Sequence, residues 1–380
     1  MTSPNDFSDS ERLRYSRHFV MPEVGVEGQK KLKAARVLCV GAGGLGSPAS
    51  IYLAAAGVGT LGIVDSDVVE LSNLHRQVLH TTDDIGRTKL DSAKAHLGAL
   101  NPDIEIRTHP TRLTSENAAG ILAEYDLVVD GTDNFASRYL ISDACVLAGI
   151  PNAYGSIFRF DGQVSLFCAP GGPCYRCLYP EPPQPGSIPN CEEAGVLGVL
   201  PGIIGTLQAT EAIKWILGVG DSLAGRLLLF DALRMEMRVV RVPRSPKCPS
   251  CGDSPTIREL IDYEEFCGAK PMTESANAEI TVTELKERID RSDDLVVLDI
   301  REPQERQISR IPDQLFIPMG ELRDHLDELD KDKEIVVYCR TGKRSAMVTA
   351  FLKREGYNAI NLAGGIHEWA DKVDPSLTKY

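Results

Sequence analysis

The stretch ARVLCVGAGGLGSPASIYLAAAGVGTLGIVDSD changes its hydrophobic pattern three times. Residues 36–40 are apolar without alternation, which predicts a strand buried on both faces. Residues 41–46 are rich in glycine and read as a turn. Residues 47–56 are rich in alanine and helical, with Gly57 placed to end the helix. TLGIVD then forms a second strand that ends at Asp65. YDLVVDGTDN is another buried run with polar residues at its carboxyl end. QVSLFCA and GRLLLFDALRMEMRVVRV read as later, partly antiparallel strands, with LQATEAIKWILG as an amphipathic helix between them. Strands alternating with helices predict a doubly wound α/β sheet whose ligands sit at the carboxyl ends of its strands.

The pattern lapses after Cys251. Residues 253–278 carry turn residues and charge with little periodicity and read as a linker between a first domain, residues 1–252, and a second, residues 279–380. In the second domain ITVTELKERI, LVVLDIRE, IPMGELRDHLDEL, EIVVYC, RSAMVTAFLKREG and AINLAGGIHEWA alternate again between helix and strand. That predicts a small α/β domain.

Length and composition agree with this division. A chain of 380 residues suits two domains, and 43% hydrophobic with 25% charged residues is ordinary for a globular protein. A net charge of −13 argues against direct binding to nucleic acid or an anionic membrane. The start, MTSPNDFSDSERLRYSRH, has no apolar signal-peptide core, and the weakly polar residues 194–210 are broken by Gly and Pro. The expected location is the cytoplasm.

GAGGLG, between a strand and a helix, matches G-x-G-x-x-G: glycines let the backbone approach phosphates, and the helix N-terminus offers N–H groups to an anion. Asp65 closes the next strand at the spacing of a ribose hydroxyl acceptor. NAD-dependent oxidoreductases share this geometry. Asn73 and Arg76 in DVVELSNLHRQ, and Lys89 in GRTKL, add a charge clamp suited to a triphosphate. Asp133 in DGTDN stands at a strand end, suited to Mg2+.

Ten cysteines in such a chain point to metal or catalysis rather than disulfides. Cys174 with Cys177, and Cys248 with Cys251, form two C-x2-C pairs able to supply four thiolates to a closed, structural Zn2+ site; two redox pairs are the alternative. Cys39, Cys145 and Cys168 sit in apolar runs and read as core. Cys191 lies in the Pro- and Gly-rich GSIPNCEEAGVLG, which reads as a loop. Cys339 opens the loop CRTGKR after the strand EIVVY. Its neighbours Arg340, Thr341, Gly342, Lys343 and Arg344 supply cations and a wrapping glycine, and a helix starting near Ser345 would aim N–H groups at the sulfur.

RYSRH, GAGGLGS, DSDVVELSNLHRQ, GRTKL, DGTDN, CYRC and CPSC, in that order over residues 11–252, resemble the MoeB/ThiF branch of the ubiquitin-activating (E1-like) superfamily. The resemblance implies a Rossmann-like, doubly wound E1-type domain with a zinc knuckle. Its members adenylate the C-terminal Gly-Gly of a ubiquitin-like sulfur-carrier protein. It implies Gly41, Gly43, Gly44, Asp65, Asp67 and Asn134 around ATP; Asn73, Arg76 and Lys89 on the phosphates; and Asp133 at magnesium. Arg17 would reach into the partner's site of a homodimer. Cys191 falls where the superfamily carries a cysteine able to attack the acyl-adenylate.

LDIREPQE, CRTGKR and LAGGIHEWA resemble a rhodanese domain over residues 279–376. Cys339 and Arg344 are spaced C-x4-R, the shorter loop that suits a sulfur atom; Cdc25-type phosphatases use C-x5-R, and residue 345 is Ser. The expectation is a fused adenylyltransferase and sulfurtransferase. Cys339 would carry a persulfide from a cysteine desulfurase or thiosulfate to the activated carrier, giving a thiocarboxylate for molybdenum cofactor, thiamin, cysteine or related pathways. The rival reading is an activating enzyme that holds its carrier as a thioester on Cys191 for conjugation.

Overall fold

The computed structural model describes residues 6–183, 195–267 and 279–380 and divides into two compact units, Met1–Ala269 and Lys270–Tyr380. The first unit is built on eight strands: β1 (Arg36–Val40), β2 (Thr60–Val64), β3 (Glu105–His109), β4 (Leu127–Asp130), β5 (Asn152–Phe158), β6 (Asp161–Phe167), β7 (Arg226–Asp231) and β8 (Glu236–Arg241). They lie in the order β3-β2-β1-β4-β5-β6-β7-β8. The pairs from β3 to β5 are parallel and those from β5 to β8 antiparallel. Strand order reverses at β1, which has β2 on one side and β4 on the other, so a crevice opens at the carboxyl ends of β1 and β4.

The unbroken apolar runs have the meaning their pattern predicts. Val37 and Cys39 of β1 face one core, shared with the helices Gly46–Ala56, Lys89–Leu100 and Leu200–Leu217. Leu38 and Val40 face a second core against the helix Phe135–Ala148. Gly57 ends the first helix in the left-handed conformation, with φ 81°. Among the described residues no helix is long and apolar enough to cross a membrane.

Residues 253–267, read from sequence as linker, pack onto the first unit. Asp262 caps a single helical turn, Tyr263–Phe266. Tyr263 is buried and donates its hydroxyl to Asp143 at 2.9 Å. Two aromatic residues one turn apart are enough to dock a segment whose composition otherwise looks like a spacer.

The second unit holds β9 (Glu279–Ile280), β10 (Leu295–Asp299), β11 (Leu315–Phe316), β12 (Glu334–Tyr338) and β13 (Asn358–Leu362), in a parallel sheet ordered β11-β10-β12-β13-β9. Its helices include Val282–Asp290, Lys343–Arg354 and Gly365–Lys372. IPMGELRDHLDEL, expected as a helix, forms only short 3-10 turns over Leu322–Glu328, interrupted at His325. Alternate residues of β12 again serve two cores: Ile335 and Val337 on one face, Val336 and Tyr338 on the other.

Candidate functional site

The crevice of the first unit is a cavity of about 350 Å³ at the carboxyl ends of β1, β2 and β4. Gly41, with φ 94°, begins the turn after β1. A Cβ on Gly46 would lie 1.8 Å from the Gly41 carbonyl oxygen, so only glycine lets this turn fold back so tightly. Asp65 holds the turn from beside it: its carboxylate accepts the N–H groups of Ala42 and Asp67, each at 2.8 Å. Lys89 begins its helix after the cap residue Thr88, is buried, and donates from Nζ to Asp67 at 2.9 Å.

Gly41, Gly43, Gly44, Asp65, Asp67, Arg76, Lys89, Asp133 and Asn134 all line this cavity. Asn73 stands one residue back: its Oδ1 accepts from the side chain of Gln77, which does line it. Arg17 is exposed on the helical turn Ser16–Phe19 and is not among the lining residues. Cys191 lies outside the described residues. Asn134 caps the helix Phe135–Ala148, its Oδ1 accepting from the Ser137 N–H at 2.9 Å, so the amide NH2 is what it presents to a ligand. Asp133 is exposed in the cavity wall. Asp133 lines the cavity along with Asp65, Asp67, Arg76 and Lys89, and an exposed carboxylate beside cationic phosphate-binding groups is the donor pattern that magnesium takes alongside substrate phosphates, so the site fits that ion.

The sequence reading missed Arg138, Gln77 and residues 111–113, which complete the cavity wall. Arg138 was findable, since it lies one helical turn beyond the cap residue Asn134. Residues 111–113 come from the segment after β3 and carry no motif.

The four paired cysteines converge, with all four sulfurs within 4.8 Å of one another. Cys174 lies 3.5 Å from Cys248, and Cys177 3.3 Å from Cys251. A tetrahedral Zn2+ with bonds of about 2.3 Å sets its sulfurs about 3.8 Å apart, so the cluster fits a structural zinc. Arg176, within the first pair, donates to the buried Asp143 at 2.8–3.0 Å and lies over the rings of both Tyr139 and Phe266. Tyr263 and Phe266 thereby tie the chain beyond the second cysteine pair to the first pair.

In the second unit Cys339 follows β12 and is buried at the edge of the core, 1% exposed. The cationic sequence around it had suggested a thiol ringed by charge. Instead the loop wraps over the sulfur: Gly342, with φ 89°, donates its N–H to Sγ at 3.2 Å, and the Ser345 hydroxyl lies 3.4 Å from it. Arg344 is turned to Glu305 in a bidentate pair at 2.6 and 2.8 Å. Burial acts to raise the Glu305 carboxyl, but Arg344, the Glu302 N–H and the Tyr380 hydroxyl together hold the group below the ordinary glutamate range. The helix Lys343–Arg354 begins two residues before Ser345, so its first N–H groups lie within the loop.

The LAGG motif secures the other side. Ile366 and His367 donate their N–H groups to the carbonyls of Cys339 and Arg340, at 2.9 and 3.1 Å. Outward carbonyls are thus anchored while an inward N–H meets the sulfur. Such a cradle stabilises a sulfur anion by backbone dipoles and a hydroxyl.

Comparison with known proteins covers both units. Residues 15–250 match the ThiF family and residues 281–372 the rhodanese-like domain. The chain is 48% identical to a probable adenylyltransferase/sulfurtransferase MoeZ of Mycobacterium tuberculosis, over 98% of this chain and 96% of that protein. It is 57% identical to a sulfur carrier protein adenylyltransferase of Thermus thermophilus, over 68% of this chain and 97% of that protein. The crystal structure of E. coli MccB with MccA-N7isoASN is similar with a TM-score of 0.58 and 25% identity, covering 66% of this chain and 77% of that one.

Proposed function

The chain belongs to the ThiF family and carries a rhodanese-like domain toward its C-terminal end; from that premise we propose how its residues divide one sulfur-transfer reaction between two sites. It is a transferase that couples adenylation to sulfur transfer. Its protein substrate is a ubiquitin-like sulfur carrier ending in Gly-Gly. The carrier's carboxylate attacks the α-phosphorus of ATP, pyrophosphate leaves, and an acyl-adenylate forms.

Asp65 accepts the ribose hydroxyl, and the turn from Gly41 through Gly43 and Gly44 lies along the phosphates. Arg76, Asn73 and Lys89 neutralise the charge that gathers on the departing pyrophosphate. Asp67 holds Lys89 in place before nucleotide arrives. Asp133 would hold Mg2+, which when bound supplies further charge neutralisation, while Asn134 offers its amide N–H groups to the nucleotide. Arg17, exposed here, completes the site of the partner in a homodimer. The four cysteines would hold Zn2+ away from the reacting atoms.

The Cys339 thiolate takes a sulfane sulfur from thiosulfate, releasing sulfite, or from a cysteine desulfurase. The terminal sulfur of the persulfide attacks the acyl carbon and AMP leaves, giving an acyl disulfide. A second thiol, from Cys191 or an external reductant, then attacks the Cys339 sulfur. The carrier departs as a thiocarboxylate and a disulfide remains for reduction.

The observation that carries this reading is the cradle around Cys339, with an inward N–H and a hydroxyl on a buried sulfur, in the same chain as the strand-end cavity. C339A should keep ATP–pyrophosphate exchange and lose thiosulfate:cyanide sulfurtransfer, while D133A should do the reverse. Loss of both activities in either variant would contradict the division of labour.

A further inference from the structure

Behind the glycine turn His80 is buried with 5% exposure, on no wall of the cavity and outside every motif discussed above. Its Nε2 lies 3.0 Å from the Ala42 carbonyl oxygen and its Nδ1 lies 2.8 Å from the Ser92 hydroxyl, itself fully buried. A carbonyl only accepts, so Nε2 carries the proton; in the neutral ring Nδ1 then accepts from Ser92. Burial lowers the pKa of His80, and Lys89 adds to this, both favouring that neutral form.

The two ends of this imidazole belong to the two halves of the charge site. Ala42 is the second residue of GAGGLG and is held on both sides: its N–H by Asp65, its carbonyl by His80 at 3.0 Å and, at the longer 3.3 Å, by the Ser47 hydroxyl. Ser92 lies one helical turn beyond Lys89, on the same face of Lys89–Leu100. Through two hydrogen bonds the ring therefore spans from the phosphate-binding turn to the helix that begins with Lys89.

We propose that His80 is a positioning residue for adenylation, a buried strut that sets the distance between the glycine turn and Lys89. It touches no reacting atom. Its removal leaves the Ala42 carbonyl with only the longer Ser47 contact and lets the Lys89 helix shift, and small displacements of aligned groups carry large rate penalties. This rests on the adenylation reading above.

The test uses the full chain and ATP–pyrophosphate exchange with a Gly-Gly carrier. H80L removes both bonds, H80Q keeps a donor at the reach of Nε2, and S92A cuts the far end together with the contacts of Ser92 to His96 and Asp84. H80L should lower kcat/KM for ATP at least tenfold, H80Q should stay within about threefold of wild type, and S92A should fall between. In ATP titrations, H80L should weaken binding in wild type but add little on top of K89M, because both act on one contact; a merely structural role would weaken both backgrounds alike. Thermal melting of the first unit checks folding, and should H80L not fold, S92A and H80Q carry the test. Equal losses in H80Q and H80L, or exchange within twofold of wild type in folded H80L or S92A, would overturn the strut. Absence of exchange in the wild-type chain would instead overturn the adenylation reading.

Discussion

At Cys339 the Gly342 N–H donates to the sulfur and the Ser345 hydroxyl is within reach of both the sulfur and the Gly342 carbonyl, while Arg344 is turned to Glu305, so the anion's stability should depend on Ser345 more than on Arg344. A hydrogen bond to a charged acceptor contributes about 1.5–3 kcal/mol, so S345A should slow thiosulfate:cyanide transfer roughly ten- to a hundredfold. A smaller effect than R344K would shift the weight back to the cations. Single residues with a motif around them were legible from sequence: the thiol, the turn glycines, Asp65 and Lys89. Partners that act through space were not. Glu305 stands 39 residues before the arginine it pairs with, and His80 follows no pattern that marks it. Only three-dimensional placement reveals that Arg344 is already neutralised.

Among elements, the two that carry the sulfur loop are joined by the pair between Glu305, on the helix Pro303–Ile308, and Arg344, on the helix Lys343–Arg354. The Glu305 carboxyl is held below its unfolded value of about 4.5. A depressed carboxyl contributes its full stability above the unfolded value and loses it as pH falls through the folded one. Melting of the second unit should therefore weaken below about pH 4.5 in the wild type. E305Q should be less stable by on the order of 2–3 kcal/mol at neutral pH and should lose part of that acid dependence. An unchanged melting profile would show that the pair contributes nothing. The cysteine cluster is the corresponding joint in the first unit. The Zn2+ proposed for it is tested with a chelator, which should lower that unit's melting temperature and its exchange activity while sulfurtransfer by the second unit persists. Strands, the switch at β1 and most helices were readable because their residues bury both faces of a sheet. The docking of residues 253–267 was not, since it depends on Tyr263 meeting Asp143, 120 residues earlier.

For the whole molecule, two compact units each carry one chemical capability, and neither alone can turn a carboxylate into a thiocarboxylate. An acyl-adenylate without sulfur hydrolyses, and a persulfide without an activated acyl group has no electrophile. In the proposed reaction Cys339 delivers its sulfur to a carboxylate activated in the first unit. The most direct measurement is the intact mass of a Gly-Gly carrier, taken from the native cell, after incubation with the chain, ATP and thiosulfate. The expected product has one carboxylate oxygen replaced by sulfur and depends on both ATP and Cys339. Formation of that product by C339A, or accumulation of the carrier solely as a thioester on Cys191, would contradict the proposed reaction.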